Sequence, residues 1–97
     1  MTSDSPSEPI VARRVVVRGR VQGVFFRDSV RRLAGSRGVA GWARNEFDGS
    51  VEVWVEGPPA AVEAVVEFCR EGPRRAVVEA VEVEDVAPVR LEGFEVR

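Results

Sequence analysis

The chain has 97 residues, 44% hydrophobic and 31% charged, with a formal net charge of −2, which suits one soluble globular domain with a modest core. It contains no His, one Cys and no Lys, so that all 14 basic residues are Arg; this excludes histidine acid–base catalysis, Schiff-base chemistry, an internal disulfide and zinc sites built on His or paired thiolates. No apolar run approaches the ~20 residues that span a bilayer, and the slightly acidic balance is not that of a dedicated nucleic-acid binder.

Residues 1–10 are Ser, Pro and acid with nothing to bury, and are expected to form a disordered tail ahead of a domain at 11–97. They carry neither a basic n-region nor an apolar h-region, so the expected location is the cytoplasm. Residues 11–18 read as a strand, with Val15 and Val17 on one face and Arg14, Val16 and Arg18 on the other. Gly19-Arg20-Val21-Gln22-Gly23-Val24-Phe25-Phe26-Arg27 follows, and leads into helical spacing. Two glycines at a strand-to-helix junction let the backbone curl tightly and approach a ligand. The helix N-terminus adds unpaired N–H groups and the positive end of its dipole, a combination that favours an anion. Arg27, in the first helical turn, can lean back toward that anion and offer a planar, bidentate fork. The stretch is no Walker loop, because no Gly-Lys-Ser/Thr follows, and it lacks the full glycine spacing of a dinucleotide site.

Phe26, Val30, Leu33 and Ala34 recur at helical spacing, and Gly38 supplies a C-terminal cap. Asp48-Gly49 between two alternating segments predicts a hairpin. In its second strand Val51, Val53 and Val55 face the core, while Glu52, Trp54 and Glu56 face outward. Pro58-Pro59 opens a second helix, with Val62, Val65, Val66 and Cys69 on its apolar face and Gly72-Pro73 at its end. The apolar phase then slips between Val78 and Val81, which predicts a β-bulge near Glu79-Ala80. Phe94 and Val96 mark a short closing strand.

This order predicts an α+β, ferredoxin-like βαββαβ sandwich, with two helices on one face of a mainly antiparallel sheet and a short C-terminal strand. Right-handed crossovers place the first and third strands side by side in the centre. The open face then carries Arg14, Arg18 and Arg20 beside Glu52 and Glu56, with Glu82 and Glu84 on the other flank. Such opposed charges neutralise a surface that an RNA-recognition sheet would keep basic and aromatic, and Trp54 alone is no stacking platform.

The stretch Gly19–Arg27 resembles the first signature of the acylphosphatase family. Gly41-Trp42-Ala43-Arg44-Asn45 through Asp48-Gly49-Ser50-Val51-Glu52 resembles the second, and Gly57, Gly72-Pro73 and Phe94-Glu95-Val96 also fit the family pattern. The similarity runs over about residues 12–97; Ala43 stands where a larger β-branched residue is common, and the N-terminal tail is extra. The resemblance implies hydrolysis of a small acyl phosphate to carboxylate and inorganic phosphate, without metal or other cofactor. It implies that Arg27 binds the phosphate, that Asn45 orients the attacking water, and that the loop Gly19, Arg20, Val21, Gln22, Gly23, Val24 and Phe25 is a cradle of backbone amides. The chemistry agrees, since a carboxylate is already a good leaving group and what remains is positioning and electrostatics.

Other residues have plainer readings. Asn45, taken alone, is a turn residue beside a hairpin, and Asp28 offsets neighbouring arginines and the helix dipole. Trp42 and Phe47 read as packing groups, Cys69 as an inert small hydrophobe, and Arg31, Arg32 and Arg37 as a solvated helix face. A non-catalytic ferredoxin-like module binding an anion or a protein is the alternative function; intact Arg27 and Asn45 argue against it. An RNA-binding sheet is disfavoured by the charge pairing. A monomer is the simplest expectation, with no nucleic-acid or membrane partner.

Overall fold

The computed structural model describes residues 9–97, so most of the expected tail lies outside the described residues. Its strands and helices run β1 (Val11–Arg20), α1 (Phe26–Arg37), β2 (Ala40–Asn45), β3 (Val51–Gly57), α2 (Pro59–Glu71), β4 (Val77–Val86) and β5 (Phe94–Val96). The sheet order is β4-β1-β3-β2-β5, with β1 and β3 in the centre as expected. All neighbours are antiparallel except β2 and β5, which are parallel. This is the expected βαββαβ sandwich with a fifth, short strand added at its edge.

The core follows from the two periodicities. Val15 and Val17 of β1 and Val51, Val53 and Val55 of β3 alternate toward the helices and are fully buried. Phe26, Val30 and Ala34 of α1 and Val62, Val65, Val66 and Cys69 of α2 meet them. At about 25 cal/mol per Å² of apolar area, each buried Val contributes roughly 1.5–3 kcal/mol. Gly38 closes α1 in the left-handed conformation, donating to the carbonyls of Ala34 and Gly35. The predicted bulge is present: Arg18 pairs with Ala80 but Gly19 with Val78, leaving Glu79 as the extra residue. The Asp48-Gly49 hairpin is also present, its turn closed by Gly49 N–H to Glu46 O at 3.1 Å and locked by the Asp48 carboxylate, which accepts from Ser50 N and Oγ.

Three expectations need correction. β1 continues to Arg20, two residues beyond the predicted end, because Gly19 and Arg20 keep pairing with β4 past the bulge. Glu52 and Glu56 do lie on the helix-free face, yet they are 7% and 3% exposed rather than outward in water. Arg14 and Arg44 clamp Glu52 from the strands on either side. Glu56 accepts from Trp54 Nε1 at 2.8 Å and from the backbone N–H groups of Val89 and Leu91, so the chain leading to β5 closes over it. Finally, Phe47 packs against nothing; it stands fully exposed at the hairpin tip. Trp42 does pack, stacked on its cross-strand partner Trp54 with ring centroids 6.3 Å apart.

No described helix is long and apolar enough to cross a membrane.

Candidate active site

The loop at 21–25 turns the chain from β1 into α1 within five residues. Gly23 has φ +75° and Phe25 φ +63°, whereas Val24 between them is not in the positive-φ region. Alternating hand of this kind turns successive backbone N–H groups toward one side, the geometry of an anion nest. A Cβ on Gly23 would meet nothing within 4 Å, so glycine is required there by the backbone angle alone. Just beyond, the first turn of α1 adds N–H groups without helical partners.

Arg27 lies in that first turn, and its Nη1 donates to the main-chain oxygen of Arg97 at 2.6 Å. Among the described residues it has no carboxylate side-chain partner, although neighbouring arginines do. Asp28, one residue on, is occupied by Arg31 and Arg32. Hydrogen bonding from Arg31 holds its carboxyl below the usual range despite partial desolvation. No Asp or Glu side chain among the described residues is thus bonded to Arg27, whose Nη1 is held by the Arg97 oxygen.

Asn45 reaches the same place from the other side of the chain. It ends β2 opposite Val51, and so projects from the helix-covered face of the sheet toward the start of α1. Its Oδ1 is buried and has no hydrogen-bond partner. An unpaired buried acceptor costs about 1–3 kcal/mol, which makes this atom stand out in a structure where most buried polar groups are paired.

These residues meet around a cavity of about 390 Å³ lined by Val21, Gly23, Phe25, Phe26, Arg27, Asp28, Arg31, Asn45 and Val96. Of the residues singled out in the sequence, it brings together Val21, Gly23, Phe25, Arg27 and Asn45. Gly19 and Arg20 sit instead at the end of β1, and the Val24 side chain packs on the core. Gln22 points to the hairpin, where Nε2 donates to Glu46 O at 2.7 Å and Ser50 O at 2.9 Å. This ties the loop to the strand ends that carry Asn45.

A strand-to-helix nest, a guanidinium without an acidic side-chain partner and an unpaired amide oxygen thus surround one cavity. A model of the acylphosphatase family matches residues 13–96. The chain belongs to the acylphosphatase family. It is 57% identical over 83 residues to an acylphosphatase of Haloarcula marismortui, covering 86% of this chain and 91% of that one. It is 51% identical over 86 residues to an acylphosphatase of Gloeobacter violaceus, covering 89% and 92%. Among solved structures, the acylphosphatase of Bacillus subtilis superposes with a TM-score of 0.86 at 35% identity, covering 90% of this chain and 98% of that one.

The surroundings of this cavity also include residues that nothing in the sequence assigned to the site. β5 docks parallel to β2, pairing Ala43 with Val96, and Arg97 N–H donates to Ala43 O at 2.8 Å. That docking sets Val96 in the cavity wall and the Arg97 oxygen against Arg27. In the sequence, Phe94-Glu95-Val96 showed the alternation of a strand and a fit to the family pattern, neither of which specifies the strand's partner.

Proposed function

We propose that this acylphosphatase works by holding the phosphoryl group of an acyl phosphate between the amides of the 21–25 loop, the N-terminus of α1 and the Arg27 guanidinium, while Asn45 orients the attacking water. The unpaired Oδ1 of Asn45, buried in the wall of the Arg27 cavity, is the observation that carries this reading. It can accept one O–H of a water and leave a lone pair of that water directed at phosphorus. The water oxygen forms the new P–O bond as the bond to the acyl oxygen breaks, and the electron pair leaves on the carboxylate. With no histidine in the chain, the water's proton passes to a phosphoryl oxygen of the substrate. An acyl phosphate dianion and water thus give a carboxylate and dihydrogen phosphate, with charge and atoms conserved. Arg27 and the loop amides act on the charge of the phosphoryl oxygens in flight, where preorganised donors contribute most.

The proposal uses no metal or other cofactor, and one chain supplies the whole cavity, in keeping with a monomer. It also takes no nucleic-acid partner. Trp54 covers one side of Trp42, and the guanidinium carbons of Arg44 and Arg97 lie 4.7 and 5.0 Å from its ring centroid. That indole is therefore not free for a base. The cytoplasm is the compartment that a lone, buried, unpaired cysteine suits.

Purified protein assayed on acetyl and benzoyl phosphate with a chelator present tests the core of this reading. Undiminished turnover, competitively inhibited by inorganic phosphate, is expected; activity that disappears with the chelator refutes the metal-free mechanism. Sedimentation and cell fractionation check the monomer and the compartment.

A further inference from the structure

Phe25 is an apolar side chain in a position that folding does not explain. It is 74% exposed, so its ring gains little from burial. Its backbone has φ +63°, a region that costs a non-glycine residue roughly 1–3 kcal/mol and that Gly, Asn or Asp would occupy more cheaply. It nevertheless lines the same cavity as Arg27 and Asn45. The walls of that cavity divide by chemistry: Arg27, Asn45, the paired Asp28 and Arg31 and the loop backbone are polar, while Phe25, Val21, Phe26 and Val96 are apolar. A phosphoryl group held by the polar part leaves the acyl group of the substrate to find the rest of the wall. Val21 and Phe26 are buried in the core at 1% and 2% exposure and Val96, 38% exposed, is a small aliphatic group, so the apolar surface these three offer is limited. Phe25 is the large ring that remains open.

We infer that the Phe25 ring is the contact surface for the acyl group, and that the enzyme favours acyl phosphates with an aromatic or large apolar acyl group over acetyl phosphate. The inference rests on the phosphoryl group lying at Arg27 and the loop. A ring standing beside the anion site can pack offset-stacked or edge to face with an aryl substituent, an arrangement that a methyl group cannot reproduce. It makes Phe25 a residue of specificity through its side chain, whatever its backbone amide does in the cradle.

The test is the ratio of kcat/KM for benzoyl phosphate to that for acetyl phosphate, measured in the wild type, Phe25→Asn, Phe25→Leu and Phe47→Ala. Asn adopts the left-handed conformation readily and so preserves the loop. Comparing each variant with the wild type cancels the different intrinsic reactivity of the two substrates. The ratio is expected to fall about fivefold to tenfold in Phe25→Asn, and less in Phe25→Leu. Phe47 is also exposed, two residues from Asn45, but it does not line this cavity, so Phe47→Ala should leave the ratio at the wild-type value. A ratio in Phe25→Asn within twofold of wild type overturns the inference, as does a fall confined to Phe47→Ala. If Phe25→Asn turns over neither substrate, the ratio of dissociation constants for phenylphosphonate and methylphosphonate, read by calorimetry, decides on the same scale. Failure of the underlying site reading has a different signature: Arg27→Ala would still bind inorganic phosphate and turn over both substrates, with the benzoyl-to-acetyl ratio irrelevant to that result.

Discussion

Replacing Asn45 by Ala separates water positioning from phosphate holding. In the proposed mechanism the Oδ1 contact to the water tightens as the new P–O bond forms, so its loss falls on the transition state. Removing one preorganised contact of this kind costs about 3–4 kcal/mol, or about two to three decades in kcat. Inhibition by inorganic phosphate should stay near the wild-type level, because Arg27 and the loop are untouched. Stability should hardly change. Oδ1 is buried without a partner, a state that costs about 1–3 kcal/mol, so the truncation relieves a penalty of the same order as the packing it removes. With about 4–8 °C in Tm per kcal/mol for a domain of this size, the variant should melt within several degrees of wild type. The assay is steady-state hydrolysis of benzoyl phosphate with phosphate as inhibitor, alongside calorimetric melting. A contact made equally in ground and transition states would raise KM and spare kcat. A folded variant that keeps its kcat, or one whose phosphate inhibition weakens in step with its rate, would refute the role.

Arg27→Ala should lower kcat/KM at least about a hundredfold and abolish phosphate inhibition, and Arg27→Lys should recover little, since an ammonium cannot reproduce the bidentate fork; circular dichroism should show the fold intact. Gly19, at the end of β1, and Gly23, in the loop, should respond differently. Gly19→Ala should destabilise severely, because its Cβ would sit 2.1 Å from the Val77 carbonyl oxygen beside the bulge, whereas Gly23→Val, in open space at φ +75°, should weaken phosphate affinity more than it lowers Tm. At Glu52, burial pushes the pKa up, but hydrogen bonds from Arg44 and Arg14 more than offset this and hold it below the ordinary glutamate range. Glu56 is likewise held below that range, against burial, by Trp54 and the backbone of residues 89–91. A carboxylate depressed in the folded state contributes stability above its unfolded pKa of about 4.3 and loses it as pH falls further. Urea midpoints should therefore drop from about pH 5 downward, with a smaller drop in Glu52→Gln. Burial pushes the Cys69 thiol up to about 12, so the native protein should resist alkylation at neutral pH and react only once unfolded.

Much of the fold was legible because it rests on short-range rules. The 3.6-residue spacing of Phe26, Val30 and Ala34, the alternation of Val51, Val53 and Val55, and the Asp48-Gly49 turn each specify local geometry within a few residues. Even the bulge at Glu79 could be read, since a bulge shifts the apolar phase of its own strand. The two signatures likewise named Arg27 and Asn45 as residues of interest. Periodicity and turn chemistry by themselves could not supply the convergence of those residues, which only the family resemblance implied. That depends on the β2–β3 register, which sets Asn45 opposite Val51 and on the helix side of the sheet; a shift of one residue would turn it to the other face. The parallel docking of β5 on β2 was equally invisible, and with it the placing of Val96 and the Arg97 oxygen at the site. Glu56 read as a surface acid because its alternation placed it on the helix-free face, and only the later chain folding back over that face buries it. Periodicity and turn chemistry act between neighbours in sequence, so the chain displays them directly. Which distant segments pair, and which polar atom is left without a partner, is decided by packing between parts of the chain that carry no record of one another.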